Sequence, residues 1–148
     1  MNRRQFTITS VFAALLTGLV FQSNARAGEF PKGSPEFKTS YDAALKAAKD
    51  AGKPLVVVFS ASWCPPCQAN KKNVYPSDTV KPYHDKYVWA YLDADDKANA
   101  ATMQKFGVNG IPHIEILHKD GKSVGQAVGG TSGEAFAKVL EAALKKAK

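Results

Sequence analysis

Two cysteines, Cys64 and Cys67, stand three positions apart in the run Trp63-Cys64-Pro65-Pro66-Cys67, and the chain has no others. A sulfur pair at this spacing can cross-link the chain, help to hold a metal, or carry electrons. As a staple it would close so small a loop that it restricts little of the unfolded chain. A structural zinc site wants four ligands. No second pair exists, and His84, His113 and His118 do not stand at paired-ligand spacing. Electron transfer is the reading these residues favour. In that chemistry a thiolate attacks a disulfide, and the second cysteine resolves the mixed disulfide. A second reading is Cu(I) handling, with Cys64 and Cys67 as soft ligands and His113 as the candidate third.

Such chemistry needs elements that present the sulfurs. Pro54 to Phe59 is an apolar, β-branched run, as in a strand buried on both faces. A helix is expected to follow the cysteines through Val74. Cys64 then sits at a helix N-terminus, where free N–H groups and the helix dipole favour an anion. Cys67 comes one turn later on the same face. Pro66 suits the first helical turn, Pro65 stiffens the loop, and Trp63 is placed to shield the thiols.

The remaining pattern alternates in the same way. Ser40 caps a helix from Tyr41 to Ala51, with Ala44, Leu45 and Ala48 inward, and Gly52 ends it. Pro76 to Lys86 reads as a connection with room for a helical turn. Tyr87 to Leu92 is a second buried strand. Asp95 or Asp96 caps a helix through Phe106, with Ala98, Ala101, Met103 and Phe106 offered to its inner face. His113 to His118 and Ser123 to Val128 form a hairpin around Asp120-Gly121. Thr131 caps a last helix to Lys146, with Phe136, Val139, Leu140 and Leu144 inward. Trp89, Tyr91, Phe106 and Phe136 read as core, His84 and His118 as surface. The order implies an α/β domain, a mixed sheet of four to five strands with helices on both faces.

The first residues read as a targeting segment. Arg3 and Arg4 precede an apolar run from Ile8 to Phe21, and Ala25-Arg26-Ala27 offers a cleavage site after Ala27. The run is shorter than a bilayer requires. Asn2-Arg3-Arg4-Gln5-Phe6-Thr7 also resembles a twin-arginine signal; either export route leads out of the cytoplasm. The expected division is a signal peptide over 1–27, an irregular lead-in over 28–39 and a folded domain over 40–148. The mature chain is then expected not to span a membrane. The 148 residues carry a net charge of +7, three of it from Arg3, Arg4 and Arg26. The remaining lysines lie among acids, which is a solvated surface rather than a nucleic-acid footprint.

The run Phe59-Ser60-Ala61-Ser62-Trp63-Cys64-Pro65-Pro66-Cys67 resembles the active-site segment of the thioredoxin family, and Gly107-Val108-Asn109-Gly110-Ile111-Pro112 resembles the family's cis-proline loop. Asp120-Gly121 and Gly129-Gly130 fall where the family turns its hairpin and enters its last helix. The resemblance runs from about residue 40 to the end. It implies a thioredoxin fold and a thiol–disulfide oxidoreductase without cofactor or metal. Asn73-Val74-Tyr75-Pro76-Ser77 and Asp93-Ala94-Asp95 are most similar to exported members, such as the C-terminal domain of the DsbD electron transporter. A periplasmic monomer is expected, reducing disulfides of exported proteins with electrons from a membrane donor. By the resemblance, Cys64 and Cys67 are catalytic, Ile111–Pro112 is cis, and Ile111 pairs with the bound substrate. The family often carries a buried acid where this chain has Val58, so the proton of Cys67 needs another route. Glu115 is a candidate for that role, although its expected place is an exposed edge. His113, directly after Pro112, is a candidate to hold the Cys64 thiolate when protonated.

Overall fold

The computed structural model describes residues 29–148. The targeting segment over 1–27 and its cleavage site lie outside the described residues. Five strands form one sheet: β1 (Phe37–Lys38), β2 (Leu55–Ser60), β3 (Val88–Asp93), β4 (His113–Leu117) and β5 (Ser123–Val128). Their order across the sheet is β1-β3-β2-β4-β5. β1, β3 and β2 run parallel, whereas β4 is antiparallel to β2 and β5 to β4. The helices are α1 (Tyr41–Ala51), α2 (Pro65–Asn73), α3 (Ala100–Lys105) and α4 (Gly133–Lys146).

Alternation along the strands divides the core in two. Val56, Val58, Ile114 and Ile116 face a cluster that includes Val74, Tyr75, Phe136 and Leu140, on the side of α4. Leu55, Val57, Phe59 and Leu117 face Tyr41, Ala44 and Ala48 of α1, with Met103 and Phe106 beside them. Every residue of β2 is buried, as a central strand between two layers must be. The thioredoxin fold expected from the sequence is therefore present.

Local signals explain most boundaries. The Ser40 side chain accepts from Ala43 N, and Gly52 takes the left-handed conformation at φ 66° that closes α1. Gly121, at φ 90°, turns the β4–β5 hairpin. Asp96 accepts from Ala98 N and caps the turn leading into α3. A 3-10 turn occupies Lys81–Lys86.

Several expectations are corrected. The lead-in is part of the domain: Phe37 pairs with Trp89 as an edge strand, and Phe30 stacks on Phe37 at 4.4 Å and meets Tyr91 edge-on at 4.9 Å. Ser132, not Thr131, caps α4, accepting from Ala135 N. Ala98 and Ala101 are exposed; the buried residue there is Asn99, whose side-chain amide donates to Asp93 O at 2.8 Å. His84 is half-buried, its ring on Tyr75 O at 2.8 Å and its carbonyl accepting from the Trp89 indole.

Candidate active site

Cys64 and Cys67 meet at the C-terminal end of β2. Cys64 is the N-cap of α2 in extended conformation, and Pro65 and Pro66 fill the first helical positions, where no N–H is required. The two sulfurs form a disulfide with a Cα–Cα distance of 5.2 Å. The backbone N–H of Cys67 donates to Cys64 Sγ at 3.3 Å. This is one of the free amides of the helix start, aimed at the sulfur that must carry negative charge when reduced. Cys67 is the more enclosed of the two, at 1% exposure against 3%.

Two other loops converge on the pair. The Ile111–Pro112 peptide is cis, and the Ile111 carbonyl oxygen lies 3.8 Å from Cys64 Sγ. Ile111 packs against the cluster of Ala61, Cys64 and Cys67. Gly129 N donates to Pro112 O at 2.8 Å, tying the end of β5 to the proline loop. Asn70, buried on α2, reaches the same region: its amide donates to Gly129 O, and Thr131 N donates to its Oδ1 at 3.1 Å. Asn70 was not singled out in the sequence. Its signal is a polar residue three positions after Cys67, on the helix face that must turn inward.

Trp63 lies on the rim rather than over the sulfurs. It is 66% exposed, and its indole N–H donates to Asp95 Oδ2 at 2.7 Å. The expected shield is thus an exposed aromatic beside the disulfide.

His113 does not join the cysteines. It pairs in register with Phe59 and shares the α1 face of the sheet with it. Its Nε2 lies 3.0 Å from Glu115 Oε2, both side chains being almost fully buried. Ser123 donates its hydroxyl to the other carboxylate oxygen. Glu115 is therefore no edge charge but a buried group held by two partners. Among the described residues no group of three or more His, Cys, Asp or Glu could hold a metal ion. The Cu(I) reading loses its third ligand.

Around β2 and α2 the structure adds a polar group that sequence reasoning missed. Tyr91 stands opposite Val58 in the β2–β3 register. Its hydroxyl hydrogen-bonds to the buried Ser60 side chain, and Gln68 lies beside it. Gln68 also donates its amide to Ala61 O at 2.8 Å.

A sheet of this order, with a Cys-x-x-Cys disulfide at a helix start and a cis-proline beside it, defines the thioredoxin-like class of domain. The chain belongs to the thioredoxin-like domain family, whose model matches residues 41–144. Among curated relatives, the chloroplastic thioredoxin-like protein HCF164 of Oryza sativa is 36% identical over 91 residues, 62% of this chain and 32% of that protein. The thiol:disulfide interchange protein TxlA homolog of Synechocystis is 31% identical over 85 residues, 57% of this chain and 46% of that protein. The matched stretches are thus less than half the length of these relatives. Among solved structures, the oxidised C-terminal domain of DsbD from Neisseria meningitidis superposes with a TM-score of 0.59 at 24% identity, covering 72% of this chain and 97% of that domain.

Proposed function

We propose that this protein is an exported thiol–disulfide oxidoreductase that reduces disulfides of proteins outside the cytoplasm. The observation that carries the reading is the Cys64–Cys67 disulfide capped on Cys67 N–H at the start of α2. In the reduced state the Cys64 thiolate attacks a substrate disulfide. One substrate sulfur leaves as a thiol, and a Cys64–substrate mixed disulfide forms. Cys67, as thiolate, attacks Cys64 Sγ, releases the second substrate thiol and regenerates the intramolecular disulfide. Two electrons pass to the substrate, and the protons of the two protein thiols balance the two new substrate thiols. Ile111, beside Cys64, offers its backbone to the substrate chain.

Export is supported by the three-part signal pattern ending at Ala27. No helix among the described residues is long and apolar enough to cross a membrane. Continuous reduction outside the cytoplasm therefore calls for a membrane partner that returns electrons to the disulfide.

Four measurements test the proposal. Cys64→Ser is expected to abolish disulfide reduction. Cys67→Ser is expected to accumulate mixed disulfides through Cys64; an extracytoplasmic extract in which it traps none overturns the enzyme reading. N-terminal sequencing of the mature protein is expected to begin at Gly28, and an intact Met1 start on cytoplasmic protein overturns export. A Cys64–Cys67 potential below the surrounding thiol pool marks a reductant, and one well above it overturns that direction.

A further inference from the structure

Val58 places no acid on β2 beneath α2. The polar group found there is a chain of neutral side chains. Ser60, 1% exposed at the end of β2, shares a hydrogen bond with the Tyr91 hydroxyl from β3. Gln68, at the end of the first turn of α2, lies beside the same hydroxyl. Its amide also holds Ala61 O, in the turn between β2 and Cys64. The chain thus spans the strand before the cysteines and the helix after them. The Tyr91 ring is fixed independently, edge-on to Phe30 at 4.9 Å and to Phe37 at 5.6 Å. Burial holds the Tyr91 hydroxyl above its ordinary range, so it works as donor and acceptor and not as a base.

We infer that Tyr91 is a positioning residue for the redox pair, its hydroxyl holding the end of β2 through Ser60 beside the Gln68–Ala61 bond that closes the β2–α2 turn, so that Cys67 is held beside Cys64. The physical effect is on effective concentration. A turn held in one geometry keeps the second sulfur near the first, which favours closure of the intramolecular disulfide and speeds attack by Cys67 on a mixed disulfide. Loosening the turn weakens both. The inference rests on the redox role of the pair but not on its direction or on export.

Tyr91→Phe removes the hydroxyl and keeps the ring and its aromatic contacts. In glutathione redox buffers, the Cys64–Cys67 equilibrium is expected to move about fivefold toward the dithiol, the size of one neutral hydrogen bond. Release of glutathione from a Cys64–glutathione mixed disulfide is expected to slow by a similar factor. Ser60→Ala should reproduce both changes, and the double variant should add little to either. Tyr87→Phe is the control for a purely structural role: it deletes another buried phenol hydroxyl, bonded to Leu140 O at 2.6 Å and away from the disulfide. It should lower the melting temperature and leave the redox equilibrium in place. The inference is overturned if Tyr91→Phe and Ser60→Ala stay within twofold of the parent chain, if they favour the disulfide, or if Tyr87→Phe shifts the equilibrium equally. Loss of Cys64-dependent trapping would count against the enzyme reading and is a separate result.

Discussion

Glu115 shows what a single residue's chemistry can hide. Its carboxylate is 4% exposed, with His113 Nε2 on one oxygen and the Ser123 hydroxyl on the other. Glu115→Ala strands the imidazole and the hydroxyl, and leaving a buried polar group unpaired costs about 1–3 kcal/mol. Denaturant unfolding should read that loss, whereas Glu115→Gln, which keeps an acceptor for Ser123, should lose less. An alanine variant within about 0.5 kcal/mol of the parent would show that the two contacts contribute nothing net. The burial was not legible beforehand. A lone Glu in an apolar strand normally marks an edge, and its partners come from alternation within β4 and from a register shift near Ile116 and Leu117 that brings Ser123 across. The cysteine pair was legible because its requirements are local: a buried strand, a cap position, two prolines and one helical turn lie in contiguous sequence. Ser60 and Tyr91 were not, since 31 positions separate two ordinary polar residues that meet only through strand register.

At the scale of elements, the join between the turn that follows α2 and the start of α4 carries a sharp constraint. Gly133 is the first residue of α4, and a Cβ there would stand 2.6 Å from both Ser77 Oγ and Thr79 Oγ1 and 3.1 Å from Ser77 Cβ. Replacing a helical glycine by alanine ordinarily stabilises by about 0.5–1 kcal/mol. Here Gly133→Ala should reverse that sign and lower the melting temperature, because the Ser77–Val74 turn must move to admit the methyl group. A stabilised variant would show that this turn yields without cost. Ser132→Ala removes the α4 cap and should cost about 1 kcal/mol; the equivalent change at Thr131 should cost less, since its hydroxyl does not reach the helix N–H groups. The sequence placed this cap one residue early because Thr and Ser are adjacent and both suit the role. It missed β1 for another reason. Two residues after Pro35 carry no periodicity, and Phe37 becomes a strand through packing on Tyr75, Trp89 and Tyr91, all distant in sequence.

Across the whole molecule, two buried phenols brace the layers of the α4 face. Tyr75 is fully buried against Trp89 and Phe136. Tyr87, at the entrance to β3, donates its hydroxyl to Leu140 O and so pins the sheet to α4. Burial drives both hydroxyls well above the ordinary tyrosine range. The sign of the resulting pH dependence follows. Below about pH 10 the phenols are protonated in folded and unfolded chains alike, and their contribution is fully present. Above that pH the unfolded chain releases protons that the folded one retains, so stability falls as pH rises. Each such phenol steepens the fall by up to about 1.4 kcal/mol per pH unit until its folded value is reached. Unfolding free energies measured from pH 7 to pH 11 should therefore be level at first and then drop above pH 10. Tyr75→Phe should flatten the drop. Tyr87→Phe should flatten it too, while starting about 1 kcal/mol lower at neutral pH for want of the bond to Leu140. Variants that lose stability in alkali as steeply as the parent chain would place the retained protons elsewhere. A parent chain level through pH 11 would show that neither phenol resists ionisation in the fold.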